Sequence, residues 1–204
     1  MFKNHAEVPA GPSPKLGEFL SGDRVNSIIY SDPFLKAGFV SKLVGEMKIP
    51  VLYIDLDLLY SGYVASGALP SQPNVTLYQP TDETIASVIT DVLAKASMSQ
   101  ALVVVDSVNG LFNILHYRKQ AGKTVASLVM LIASLARNTK SVIVITSMAR
   151  FRKQEGWVLS PTGSRFIETK NSKKILLEQG KEGIVVSLLD DSAKFLLPAG
   201  SIPL

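Results

Sequence analysis

The chain of 204 residues contains no cysteine. That excludes disulfides, thiolate metal sites and cysteine nucleophiles, and it suits an intracellular protein. Histidine is nearly absent too: His5 and His116 each stand without an acidic or histidine neighbour at ligand spacing, so no zinc site is expected. No apolar run approaches the roughly 18–20 residues that cross a bilayer. The opening MFKNHAEVPAGPSPK has no apolar stretch after its basic residue, so it does not read as a secretory signal. Internal repeats and low-complexity tracts are also missing. Charged residues make up only 19% against 47% hydrophobic, which supplies a core and excludes a mainly disordered chain. The length suits one domain.

The small net charge of +4 is unevenly placed. Between Arg150 and Lys181 stand eight basic residues (Arg150, Arg152, Lys153, Arg165, Lys170, Lys173, Lys174, Lys181) and three acidic ones (Glu155, Glu168, Glu178). That segment carries +5, and the other 13 basic and 14 acidic residues leave the rest at −1. An acidic partner would therefore meet the C-terminal third.

Residues 1–15 hold three of the eleven prolines and read as a flexible lead-in, leaving 16–204 as a single domain. Val25–Ser31 is short and rich in β-branched residues, hence a strand. Val40, Leu43, Val44 and Met47 recur at helical spacing, ending near Lys48. After Pro50, VLYIDLD is apolar throughout and suits a strand buried on both faces. Asn74–Gln79 is a third strand. Thr81 is expected to cap a helix striped by Ile85, Val88, Ile89, Val92, Leu93 and Ala96. Ala101–Val108 and Ser141–Ser147 read as buried strands on either side of a helix bearing Leu128, Leu131, Ile132 and Leu135. Alternating strands and helices predict an α/β fold with a mainly parallel sheet between helices. Three short runs follow, Lys173–Gln179, Ile184–Asp190 and Lys194–Leu197, with hairpin-sized spacers. They predict a C-terminal antiparallel β extension.

Ligands in open α/β sheets bind beyond the carboxyl ends of the strands. Those ends carry Ser31-Asp32, Asp55 and Asp57, Asp106-Ser107, and Thr146-Ser147. Such a set suits a hydrated magnesium ion and a phosphate, although each residue alone also suits the end of a strand or the cap of a helix.

The succession VNSIIYSDPFLKAGFVSKLV, YIDLD, LVVVDSV and VIVITSM resembles the core of RecA-family recombinases, most of all archaeal RadA and RadB and the KaiC-like ATPases. KLGEFLSGDRVNSIIYS is similar to the family's opening, and the tail to its closing hairpins, with a Pro198–Gly200 turn before a last short strand. The resemblance spans about residues 16–204 and implies a RecA-like fold with a P-loop nucleotide site. Its phosphate loop, G-x-x-x-x-G-K-[ST], lets bare backbone wrap the phosphates while lysine reaches the outer ones. Aligned to it, Ser31 and Lys36 replace the glycines, Ala37 the lysine and Gly38 the hydroxyl residue, while Phe34 takes the fourth position. Lys36 stands one position early, about 100° away on a helix, and points elsewhere unless the loop is remodelled. By the same resemblance Asp106 would hold magnesium, Ser107 completes the Asp-Ser pair, and Asp57 stands where a glutamate orients the attacking water. The sensor position, usually Asn-Gln, is Ser147-Met148, and methionine cannot donate that hydrogen bond.

The loop that approaches DNA in RecA relatives corresponds to MARFRKQEGWVLSPTGSRF. It interleaves Arg150, Arg152, Lys153 and Arg165 with Phe151, Trp157 and Phe166, a mixture that suits single-stranded nucleic acid. Its blander reading is a solvated basic loop with aromatics packed on the core.

Together these features lead to an expectation and its rivals. The first is a RadA/RadB-like paralogue with a degenerate Walker A motif, a pseudo-ATPase needing no cofactor. It would bind DNA, a recombinase or both in recombination and repair, inside the cell and near the nucleoid. Homo- or hetero-oligomers suit such a subunit, but Phe2 and Ala6 stand one residue too far apart for the family's Phe-x-x-Ala joint, so filaments of the chain alone are not expected. The second is a DNA-dependent ATPase with ATP and magnesium, in which Ser31, Asp32, Lys36, Gly38 and Ser107 line the nucleotide, Asp106 holds the metal and Asp57 is general base. The third is a KaiC-like regulatory subunit without nucleic-acid binding.

Overall fold

The computed structural model describes residues 15–152, 156–159 and 172–202. The flexible lead-in expected over 1–15 lies outside these residues except for Lys15, and so do Lys153, Arg165, Phe166 and the polar stretch 160–164.

Two layers of helix enclose one sheet, as the alternating pattern requires. In chain order come β1 (Val25–Tyr30), α1 (Pro33–Glu46), β2 (Val51–Asp55), α2 (Leu59–Ala65), β3 (Val75–Tyr78), α3 (Ile85–Met98) and β4 (Leu102–Asp106). Then follow α4 (Val108–Leu115), α5 (Ala121–Asn138), β5 (Val142–Arg152), β6 (Gly156–Leu159), β7 (Ser172–Gln179), β8 (Gly183–Leu188) and β9 (Ala193–Pro198). The sheet runs β3-β2-β4-β5-β1-β7-β8-β9. Neighbours from β3 to β7 are parallel, and β7, β8 and β9 pair antiparallel, so the C-terminal extension has the form its spacers predict.

Strands β2 and β4 are buried at every residue, which is why they read as unbroken apolar runs. On one side of the sheet, Phe39, Val40, Leu43 and Val44 of α1 pack with Tyr53, Val104 and Leu177. On the other, Ile89 and Val92 of α3, Leu111 of α4 and Ile132 of α5 pack with Ile54, Val103 and Ile145. Phe19, beside Leu16 in a short 3-10 turn, stacks on Phe195 of β9 at 4.5 Å and so ties the start of the domain to its last strand.

Several expectations change. Helix α3 begins at Ile85 with Thr84 as its capping residue; Thr81 contributes its carbonyl, which accepts from Ile85 N, and not its side chain. Strand β4 ends at Asp106, and Val108 already belongs to α4, a helix too short to announce itself by periodicity. Helix α2 was hidden for the same reason. Leu131 is 46% exposed, the inward face of α5 being carried by Val125, Val129, Ile132 and Leu135. The largest change is at β5, which continues past Ser147 to Arg152 and turns back as β6, Phe151 pairing with Trp157. The expected loop is therefore, where described, a β-hairpin. At the tail, the Pro198–Gly200 turn becomes a 3-10 turn over Ala199–Ser201, and no strand follows it among the described residues.

Gly183 opens β8 with φ of 154°, and a Cβ there would collide with the carbonyl oxygen of Leu197. Gly183→Ala is therefore expected to destabilise by more than about 1 kcal/mol, seen as a lower urea midpoint with an unchanged slope.

Candidate functional site

Parallel strands bring the ends of β1, β2 and β4 level with Thr146 of β5 at one edge, with α1 rising from β1 beside them. Between β1 and α1 lie only Ser31 and Asp32. Pro33 starts the helix, its fixed φ suiting the first turn, and Asp32 caps it by accepting from Phe34 N at 2.8 Å. The amide of Lys36 is spent on the Asp32 carbonyl at 3.2 Å. So the residues aligned with a phosphate loop, Ser31–Gly38, are mostly helix, with the amides of Phe34 and Lys36 both turned to Asp32. The positive end of the helix already holds a carboxylate.

Lys36 lies in the first turns of α1, and its side chain, 1% exposed, runs inward to the end of β4. Its ammonium donates to Asp106 Oδ1 at 2.6 Å and reaches Asp57 Oδ2 at 3.4 Å. It also stands over the Tyr30 ring, 5.2 Å from the centroid. Thr146 Oγ1 donates to the same Asp106 Oδ1 at 2.6 Å, and Tyr53 donates its hydroxyl to Oδ2 at 2.6 Å. Asp106 is thus fully buried with both oxygens engaged.

Burial by itself pushes the Lys36 ammonium down, but Asp106 first, then Tyr30 and Asp57, outweigh it, and the group is held charged well above the ordinary lysine range. The Tyr30 hydroxyl is pushed up to about 12, mainly by burial, with Lys36 opposing. Burial and then Asp106 hold the Tyr53 hydroxyl well above its usual value, so it remains a donor.

Asp55, two residues before Asp57, serves a different end: its Oδ2 accepts from Ser61 N at 2.7 Å in the first turn of α2, while its Oδ1 has no partner. Burial raises its carboxyl above the usual range, with the Ser61 contact opposing. Ser107 caps α4 by accepting from Gly110 N at 3.1 Å. Gly110 has no room for a side chain, since a Cβ would meet Asp57 Oδ1 at 2.5 Å and Leu56 Cβ at 2.8 Å. Where the resemblance would put a sensor, Met148 N donates to Asn109 Oδ1 at 2.9 Å, which fastens β5 to α4.

Of the residues singled out in the sequence, three converge: Lys36, Asp57 and Asp106. Asp32 and Ser107 are helix caps, Ser31 is exposed on the short junction, and Gly38 is buried inside α1. Tyr30, Tyr53 and Gly110 were missed as site residues, and Thr146 was noted only as a strand end. A tyrosine within the otherwise aliphatic run VLYID was a usable signal, because a buried hydroxyl needs a partner. The β5–β6 hairpin, with Arg150, Phe151, Arg152 and Trp157 in its backbone, grows from the same edge of the sheet.

These residues do not fit magnesium. That ion keeps near-octahedral oxygen coordination and several waters, whereas Asp106 has no exposed surface and its acceptor sites are filled by an ammonium and two hydroxyls. Comparison with protein-family models and with curated proteins finds no match.

Removing one member of a buried ion pair strands the other. Lys36→Ala is expected to cost about 3–5 kcal/mol, and Lys36→Met combined with Asp106→Asn to recover part of that, measured as coupling in a double-mutant cycle. Because the folded carboxyl of Asp55 is raised, its contribution is intact below the ordinary carboxylate range and is lost as pH rises through the folded value. Asp55→Asn should therefore gain stability relative to the parent as pH increases, in denaturation curves taken from acid to neutral pH.

Proposed function

We propose that the chain is a RecA-like subunit of the RadA/RadB kind whose nucleotide site is filled by its own side chains. It acts as an accessory binding protein in recombination and repair and not as an ATPase. One observation carries this reading: the Lys36 ammonium sits on Asp106 where the resemblance would have magnesium. Asp32 adds to it by occupying, at the start of α1, the position an anionic phosphate would need. The two opposite charges of a metal–triphosphate are thus both supplied internally.

What the subunit binds is read from charge. The +5 segment from Arg150 to Lys181 and its interleaved aromatics suit the phosphates and bases of a single strand. The pairing of Phe151 with Trp157 across the hairpin brings two aromatic residues to one register position beside Arg150 and Arg152. A RadA-type recombinase is the protein partner in this reading, and the place of action is intracellular, at the nucleoid. No helix among the described residues is long and apolar enough to cross a membrane. The competing ATPase reading requires Lys36 to leave Asp106, and no contact among the described residues favours that.

Titration calorimetry with ATP and magnesium is expected to give no heat. Micromolar binding abolished by Lys36→Ala would overturn the proposal. Fluorescence anisotropy with a labelled single strand is expected to show binding that weakens steeply as salt rises. An Arg150/Arg152/Lys153 triple-alanine variant should lose most of it, and unchanged affinity would reject the hairpin as the contact.

A further inference from the structure

Asparagine is followed by glycine once in the chain, at Asn109-Gly110. That pair is chemically unstable in an open chain. Glycine has no side chain to obstruct ring closure, so the Gly110 amide nitrogen attacks the side-chain carbonyl carbon, Cγ, of Asn109. The N–Cγ bond forms, the Cγ–Nδ2 bond breaks, and Nδ2 leaves as ammonia with the amide proton. Water then opens the cyclic imide at either of its two carbonyls. One opening gives aspartate. The other gives iso-aspartate, in which the main chain runs through the side-chain carboxyl and gains one carbon.

In the fold both reacting groups are engaged elsewhere. Gly110 N donates to the Ser107 hydroxyl at 3.1 Å, the bond that caps α4. Asn109 Oδ1 accepts from Met148 N at 2.9 Å and lies 3.5 Å from the Ser147 hydroxyl, both on β5. Gly110 is buried and Asn109 half-buried. Attack requires the nitrogen to leave Ser107 and the carbonyl to leave β5, and so requires the first turn of α4 to open.

We propose that Asn109-Gly110 is a self-modification site guarded by the fold: opening of α4 permits conversion, and the iso-aspartyl product does not return to the native structure. The space around Gly110 carries the second part. A Cβ on Gly110 would already meet Asp57 Oδ1 at 2.5 Å and Leu56 Cβ at 2.8 Å. An extra main-chain carbon just before it pushes this turn into the same atoms. It also moves the acceptor of Met148 N out of place, and β5 loses its hold on α4 at the base of the hairpin. Aspartate at 109 keeps the ordinary main chain and an acceptor for that amide. The chain therefore has a chemical lifetime set by how often one helical turn opens, whatever it binds.

The test incubates the full chain at neutral pH, native and in guanidinium chloride above its unfolding midpoint. Residue 109 is followed by mass spectrometry of its peptide, and iso-aspartate is scored with an isoaspartyl methyltransferase. Asn113, in the same helix and followed by isoleucine, is the internal reference. The unfolded chain should lose Asn109 at least about tenfold faster than the native chain, whose rate follows its small open population. In denaturant Asn109 should also convert well ahead of Asn113. Ser107→Ala should speed native conversion about fivefold, the population change that matches a lost helix cap. Once denaturant is removed, the refolded fraction should hold asparagine and aspartate at 109 and be depleted at least about fivefold in iso-aspartate, as overpacking predicts. Native conversion as fast as in denaturant overturns the proposal, and so does a native rate unmoved by Ser107→Ala. Iso-aspartate carried at its full share into the refolded fraction overturns it as well, and that measurement needs no substitution.

Discussion

A buried ammonium in contact with two carboxylates constrains everything around it. Taking Lys36 and Asp106 out of water is costly, and their attraction repays that cost only where the geometry is close and the remaining acceptor positions are filled. Here Thr146 fills one position and Tyr53 the other, each at 2.6 Å. The four residues come from α1, β4, β5 and β2, so one electrostatic knot joins four elements at the carboxyl edge of the sheet. The parallel register sets this up by bringing the last residues of adjacent strands level, Asp55 beside Asp106.

The same knot shapes its neighbourhood. Asp57 lies against Gly110, and Gly110 N in turn binds the Ser107 hydroxyl at the start of α4. Asn109, in that same first turn, holds Met148 and hence the start of the hairpin. A continuous set of contacts therefore runs from Lys36 through Asp57 and α4 to the base of β5–β6. The basic hairpin is anchored on the carboxyl edge of the sheet, and that edge has a structural task.

The sequence revealed the strands and the long helices well because burial on two faces leaves an unmistakable apolar run, as in LVVVD, and burial on one leaves a stripe, as in Ile85–Ala96. It concealed α2 and α4, whose seven and eight residues span barely two turns. The continuation of β5 to Arg152 was hidden because basic residues after Met148 broke the apolar pattern. Carboxylates at strand ends were visible, but their roles were not. Asp32, Asp55 and Asp106 look alike in the sequence; one caps a helix, one holds a helical turn, and one meets the lysine. Only the direction of Lys36 separates the last from the others, and that direction follows from where α1 begins.

The junction between β1 and α1 also limits what substitution can build there. Two residues cannot form a cradle, and the helix begins at a proline with an aspartate cap. Placing glycine at position 31 and lysine at position 37 would write letters of a phosphate loop into this junction without giving it that shape. The first two turns of α1 would have to unwind, and Lys36 would have to be replaced, before any triphosphate met bare amides. More than one substitution therefore separates this junction from a phosphate cradle. The short junction is thus held from both sides, by the cap that starts the helix and by the buried lysine one turn into it.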